Sequence, residues 1–579
     1  MEWMLEATAR AEDRHFWFRG LRRNARVLLD QALGGRRDLA IIDGGAGTGR
    51  NLDWLREYGR VAGVERSPVG LRVGQSHARP MLCATVTQLP FAGQRFDLAT
   101  SFDVLYCLPD ADEAAAVREM WRVLKPGGLL LVNVAALDLL HGSHSALTME
   151  LRRYTPARLT AAAAAPRFAH EESDLKADPA ARFGKLENGL RYVVLPNAEP
   201  KGRASLRLLI HAGSLHEEED QRGVAHFLEH MAFNGSRNFA PGTLVEFFQR
   251  MGMSFGGDTN ASTGFDRTLY LLELPETSEK ALTEGLRVFG DYAEGLLLSE
   301  KEIDQERGII LSEKRARDNV GFRTAIAQFE FMLGETLLPR RMPIGAEEII
   351  RSAPRERFVA FWERWYRPER MAAIIVGDVD AALAERLIRE AFSPLRGRGA
   401  APAEPDRGRI TRFEGVRAWF HAEPEATATS VSISLMAPYE AEPDNAANRV
   451  KRLPRQFAVS MLNRRLSVLA KKEGSAFSSA RVSVNPSYQL FRESSVDLTC
   501  KPDQWAAALG VGEQELRRAL EHGFQPGELA ETKASYRNSL EQAVRGAATR
   551  RSGNLAGEIA QGILDGRVFT TPAASRDLL

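Results

Sequence analysis

Two histidines and a glutamate fall within five positions, His226-Phe-Leu-Glu229-His230. On a helix, positions i and i+4 lie one turn apart on one face, so both imidazoles reach a single metal ion. Glu229, three residues after His226, sits beside them and can take a proton from an activated water. The chain has 11 histidines in 579 residues, which makes this spacing uncommon by chance. A metal site of this kind needs a third protein ligand. Ser299-Glu-Lys-Glu302 reads as a capping box that opens a helix running on through Glu306 and Glu313. Those two glutamates are seven residues apart, two turns, and share a face, so helical geometry alone does not choose between them.

A second constellation lies nearer the start. Leu39-Ala-Ile-Ile-Asp43 is a short apolar run that leads into Gly44-Gly-Ala-Gly-Thr-Gly49 and then a helix-like stretch, Asn51 to Tyr58. Strand, glycine turn and helix follow one another. Gly45, Gly47 and Gly49 let the backbone approach a ligand closely, and the helix N-terminus offers free N–H groups. A second strand, Val61 to Val64, ends at Glu65, placed to accept hydrogen bonds from both hydroxyls of a ribose.

These residues have to be positioned by larger elements. At roughly 150 residues per domain, the length predicts three or four domains. Segments 161–182 (alanine-rich, then charged) and 396–409 (rich in Gly, Pro and Arg) read as linkers. They leave blocks at 1–160, 183–395 and 410–579. With 77 Lys+Arg against 76 Asp+Glu, the net charge of +1 excludes a broad basic surface for nucleic acid. Three scattered cysteines exclude a disulfide framework. No run approaches the ~18 apolar residues of a membrane span. The first residues mix acids and bases where a signal peptide is apolar, so the chain as written reads as cytoplasmic.

The first block resembles the class I S-adenosylmethionine-dependent methyltransferases. The resemblance rests on the glycine loop, the acid at 65, Leu89-Pro-Phe91, the Leu124-Lys-Pro-Gly-Gly128 turn and the opening His15-Phe-Trp-Phe18. It implies S-adenosylmethionine as cofactor, with Asp43, Gly45, Gly47 and Gly49 around its methionine and ribose portion and Glu65 on the ribose. The family often carries an aspartate about four residues before Leu-Pro-Phe; Thr85 stands there instead. The closing antiparallel strands of such a fold are expected to be missing after Arg152.

The second block is similar to the pitrilysin/insulinase zinc peptidases, in the bacterial, periplasmic-type branch, which suggests the periplasm. Its histidine motif has the His-x-x-Glu-His order of the inverzincins. Glu306-Arg-Gly-Ile-Ile-Leu-Ser-Glu313, Asn188 to Pro196, Asn260-Ala-Ser-Thr263, Trp365 to Met371 and Ile374 to Asp378 extend the match. The resemblance implies zinc on His226, His230 and Glu313, Glu229 as general base, Glu306 as a supporting group, and Asn260 and Ala261 on an edge strand that binds an extended peptide. The third block, with strand-like runs at Val431–Met436, Ala480–Val484 and Ser495–Thr499, looks like the truncated, metal-free domain that follows in this family.

The expected fold class is α/β plus α+β, a Rossmann-like methyltransferase sheet followed by two pitrilysin-like α+β domains. The expected function is a zinc-dependent metalloendopeptidase acting on unfolded peptides, fused to an S-adenosylmethionine-binding domain. The expected partners are a peptide and a second pitrilysin-like half or a homodimer. The alternatives are a methyltransferase with an inactive peptide-binding tail and a purely non-catalytic peptide-binding module.

Overall fold

The computed structural model describes residues 2–136, 150, 151, 153, 154, 168–254, 256–398, 402, 404–411, 413–439 and 441–579. The alanine run of the first expected linker, Arg152 and the residues just after Tyr154 lie outside them. The chain divides into two compact units, residues 1–167 with 399–404, and residues 168–398 with 405–579.

The first unit is built on five parallel strands, β1 (Leu39–Gly44), β2 (Gly59–Glu65), β3 (Met81–Cys83), β4 (Phe96–Phe102) and β5 (Leu124–Asn133). Their order is β3-β2-β1-β4-β5. Both faces of the sheet are covered, as a parallel sheet requires. Ile41 and Leu98 pack with Leu29, Leu33, Trp54 and Tyr58 on one side. Ile42, Val64 and Ala99 pack with Val117 and Met120 on the other. The strand order reverses between β1 and β4, which opens a crevice at the carboxyl ends of the strands. The helix expected over Asn51–Tyr58 runs Arg50–Leu55. It stops early because Tyr58 is buried in the core and the chain turns at once into β2. The Lys-Pro-Gly-Gly segment forms an irregularity in β5, where pairing with β4 jumps from Phe96↔Leu124 to Leu98↔Leu129.

The second unit carries a six-stranded sheet of β6 (Arg182–Lys185), β7 (Arg191–Pro196), β8 (Ala204–Ile210), β9 (Thr259–Thr263), β10 (Thr268–Leu274) and β11 (Met371–Gly377). The order is β6-β7-β11-β8-β10-β9, with β7 and β11 parallel and the other pairs antiparallel. One face packs Leu206, Leu208, Ile210, Tyr270 and Leu272 against a helical layer that includes Phe227, Phe289, Phe358 and Phe361. The other face carries Val193, Leu195, Ile374 and Val376 against Leu555, Ala556, Ile559 and Ala560.

Those last four residues belong to the helix Ser552–Asp565, which the sequence assigns to the non-catalytic block 410–579. The helix instead lies on β8 and β11 of the six-stranded sheet. Every residue of β8 and of β11 is buried, so a single helical layer could not cover both of their faces. The rest of that block forms a three-stranded antiparallel sheet, β12 (Thr429–Pro438), β14 (Phe491–Cys500) and β13 (Ser479–Ser487) in that order. Helices Ala446–Ala470 and Trp505–His522 cover one face of it through Leu462, Leu466, Val496, Leu498 and Ala508.

Candidate metal centre and glycine-loop site

After β8 the chain makes a short turn through His216 and Glu217 before entering the helix Val224–Met231. Gly223 precedes that helix with φ 105°, a conformation that favours glycine. It also sits against a second glycine: a Cβ on Gly223 would lie 2.8 Å from the Cα of Gly345. The helix is almost wholly buried, with His226 4% and Glu229 8% exposed.

The opposing helix, Glu300–Arg317, opens on Ser299, whose side chain accepts the Glu302 N–H. It presents Glu306 and Glu313 to the histidines in different ways. Glu306 lies behind His230: its Oε1 is 2.8 Å from His230 Nδ1, and its Oε2 accepts from Asn234 Nδ2 at 2.7 Å. Glu313 lies in front: its Oε2 is 3.4 Å from His230 Nε2 and 3.6 Å from His226 Nε2. Its other oxygen pairs with Arg317. Ligand atoms of His226, His230 and Glu313 all lie within 4.8 Å of one another.

This donor set fits zinc. Bond lengths of about 2.0–2.2 Å in a tetrahedron place neighbouring donors about 3.4 Å apart. Glu313 Oε2 is moreover buried without a hydrogen-bond partner, an orphaned acceptor facing both imidazoles.

The electrostatics agree with that use. Burial, reinforced by His230 and Arg317, pushes His226 down to about 3, which leaves its ring neutral. Burial also opposes charge on His230, but the hydrogen bond to Glu306 and the fields of Glu229, Glu306 and Glu313 outweigh it and raise that group. Burial raises Glu229 as well, against the hydrogen bond it accepts from Thr263 Oγ1 at 2.6 Å. A carboxylate raised toward neutrality suits a general base.

Thr263 ends β9, and β9 is the edge of the six-stranded sheet, with β10 as its neighbouring strand. Asn260 and Ala261 lie on that strand, with Asn260 exposed. The edge and the candidate base are therefore adjacent. Sequence reasoning missed Thr263 and Glu217, which stand at no fixed helical offset from the histidines, and Asn234, which stands four residues after His230 but beyond the end of the helix at Met231.

In the first unit, Gly45, Gly47 and Gly49 all have left-handed backbones, with φ 75°, 57° and 75°. At Gly49 a Cβ would lie 2.6 Å from Met81 Sδ, so a side chain does not fit. Asp43 is 1% exposed, and its Oδ1 accepts from Thr100 Oγ1 at 2.6 Å. Its Oδ2 is buried without a partner, and burial raises the group to about 7. Glu65 braces the loop itself: Oε2 accepts from Gly47 N at 2.9 Å and Oε1 from Ser67 N at 2.7 Å. Each oxygen keeps a lone pair for a ribose hydroxyl. The orphaned Asp43 oxygen and the side-chain-free loop fit a nucleoside cofactor. Thr85 bonds Thr87. Sequence reasoning passed over Asp103, which follows β4 with φ 58° and is held by the side chains of Tyr106 and Trp17.

Family comparison matches residues 192–322 to the insulinase model, peptidase family M16, and residues 352–536 to the M16 inactive domain. Residues 42–132 match a methyltransferase domain. The chain joins a methyltransferase domain to M16 peptidase domains. The probable zinc protease PqqL of Escherichia coli is 31% identical over 439 residues, covering 75% of this chain and 45% of that protein. The zinc protease PQQL-like protein of Arabidopsis thaliana is 31% identical over 310 residues, covering 53% of this chain and 32% of that protein. The crystal structure of the first half of the periplasmic protease PqqL from Escherichia coli superposes with TM-score 0.63 at 29% identity, covering 70% of this chain and 86% of that one. The chain spans less than half the length of these two curated relatives.

The two glutamates separate by mutation. If His226, His230 and Glu313 hold zinc, Glu313→Gln is expected to abolish zinc retention in metal analysis, because it replaces the carboxylate with a neutral amide. Glu306→Gln is then expected to weaken zinc affinity by about 10–100-fold, the usual effect of losing a partner that orients a ligand. The reverse order would exchange their roles.

Proposed function

We propose that the second unit is a zinc-dependent endopeptidase half that hydrolyses extended, unfolded peptides, and that the first unit binds S-adenosylmethionine. The observation that carries the peptidase reading is the convergence of His226 and His230 on the buried Glu313 Oε2, which has no hydrogen-bond partner, with Glu229 on the same helix as the histidines.

In this reading His226, His230 and Glu313 hold the metal. Glu306 keeps His230 in the tautomer that leaves Nε2 free to ligate. The substrate adds as a strand along the open edge of β9, where main-chain hydrogen bonds hold it regardless of its side chains. Bound zinc supplies Lewis acidity for the scissile carbonyl and lowers the pKa of water. Glu229 accepts the proton of the attacking water and returns it to the leaving amine. Thr263, at the end of the same edge, holds the Glu229 carboxylate while the peptide is bound. The chain spans 45% of its Escherichia coli relative, and we propose a second pitrilysin-like half, or a second copy, as the partner that closes over the peptide. Among the described residues no helix is long and apolar enough to cross a membrane. The periplasm named for the Escherichia coli relative is the compartment we propose for the peptidase unit.

In the first unit, Asp43, the loop at Gly45, Gly47 and Gly49, and Glu65 would hold the methionine and ribose portions of S-adenosylmethionine. Bound there, that cofactor supplies an electrophilic methyl group. Asp43 accepts hydrogen bonds from the cofactor at its free oxygen, and Glu65 accepts from the ribose.

Cleavage of a flexible fluorogenic peptide is expected to be chelator-sensitive and to fall by at least about 100-fold in Glu229→Gln, with zinc still bound. Bound zinc without cleavage would favour a peptide-binding module instead. In calorimetry the chain is expected to bind S-adenosylmethionine, and Glu65→Ala to weaken binding by about tenfold or more through loss of two charge-assisted hydrogen bonds. Equal affinity in the variant would remove Glu65 from the site.

A further inference from the structure

The helix that carries His226, Glu229 and His230 has eight residues, and the N–H groups of a first turn have no partner inside their own helix. Its cap position is Gly223, which has no side chain to offer them. Two of these amides are taken by one carboxylate from outside the helix. Gly223 N donates to Glu217 Oε2 at 3.0 Å and Ala225 N to Glu217 Oε1 at 2.8 Å.

Glu217 is itself fixed. It is 4% exposed, its carbonyl oxygen accepts from Arg341 Nε at 3.1 Å, and its N–H donates to the Ser214 carbonyl. On the opposite side Gly223 is backed by Gly345, too close for any side chain.

The two histidines differ in how they are held. His230 has its second ring nitrogen on Glu306. His226 Nδ1 is buried and has no hydrogen-bond partner. No hydrogen bond at Nδ1 orients the His226 ring, which packs edge-on against the His230 ring, so the start of its helix is what fixes where the residue begins. Ala225 is the residue immediately before it, and Ala225 is bonded to Glu217.

We propose that Glu217 is the positioning residue for His226, doing through the helix start what Glu306 does for His230 through the ring. The proposal rests on the reading of His226, His230 and Glu313 as metal ligands. Glu217→Gln keeps the size of the side chain but turns one acceptor into a donor facing an N–H group. Glu217→Asp keeps the charge but is too short to span both amides.

The test is zinc affinity of the full chain, by competition with a chelating dye, beside thermal unfolding of the zinc-free protein. The control is Ser278→Ala, which removes the cap that Ser278 provides to Ala281 N on the helix Glu279–Glu294 of the same unit. Glu217→Gln is expected to weaken zinc binding tenfold or more and Glu217→Asp by a smaller factor. Ser278→Ala is expected to lower the unfolding temperature while changing zinc affinity less than twofold. Unchanged affinity in the Glu217 variants, or an equal loss in Ser278→Ala, overturns the proposal. Should Glu217→Gln fail to fold, Glu217→Asp alone decides. A wild-type chain that takes up no zinc overturns the metal reading beneath it, and is told apart because the variants then have no affinity to lose.

Discussion

A carboxylate oxygen buried between two imidazoles, with no hydrogen donor from the protein, is an expensive arrangement. Leaving a buried polar group unpaired costs about 1–3 kcal/mol, and more when it is charged. Glu313 Oε2 is in that position. A bound metal ion offsets the cost many times over, since zinc at structural sites contributes roughly 10–16 kcal/mol. Much of the second unit can be read as what keeps this oxygen facing the two Nε2 atoms. The six-stranded sheet seats the helix Val224–Met231 through Phe227, Leu228 and Met231. Arg317 turns the Glu313 carboxylate by its other oxygen. Glu306 and Asn234 hold His230 from behind. The open edge of β9 ends at Thr263, on the candidate base.

The helical half of this site was legible in the amino-acid sequence because a spacing of four has one meaning on a helix. The third candidate ligand was not legible from spacing; the resemblance to the pitrilysin/insulinase peptidases is what pointed to Glu313. Glu306 and Glu313 share a helical face, and only the distance between two helices separates the glutamate behind His230 from the one in front. Thr263 and Glu217 were invisible for a related reason. Thr263 lies 34 residues from Glu229 and Glu217 lies nine from His226, with intervening turns that carry no fixed periodicity. Their contacts follow from how the sheet folds back on itself.

The same limit explains the helix Ser552–Asp565. Its apolar face was readable, but the surface it covers was not. One signal did exist: Met371–Gly377 is a continuous apolar run, and such a strand is buried on both faces. A second covering layer was therefore required, and it comes from a segment about 180 residues further along. In the first unit the Rossmann-like parallel sheet agreed with expectation, because a parallel sheet with a glycine turn after its first strand admits few topologies. What the sequence did not reveal there was that Glu65 braces the loop, its two oxygens accepting from Gly47 N and Ser67 N.

X-ray absorption at the zinc edge of the zinc-loaded chain tests directly whether His226, His230 and Glu313 hold the metal. The account predicts a shell of nitrogen and oxygen only, at about 2.0–2.2 Å, with the outer-shell scattering of two imidazoles, reduced to one in His226→Ala. A sulfur ligand, or a spectrum unchanged in His226→Ala, would contradict it.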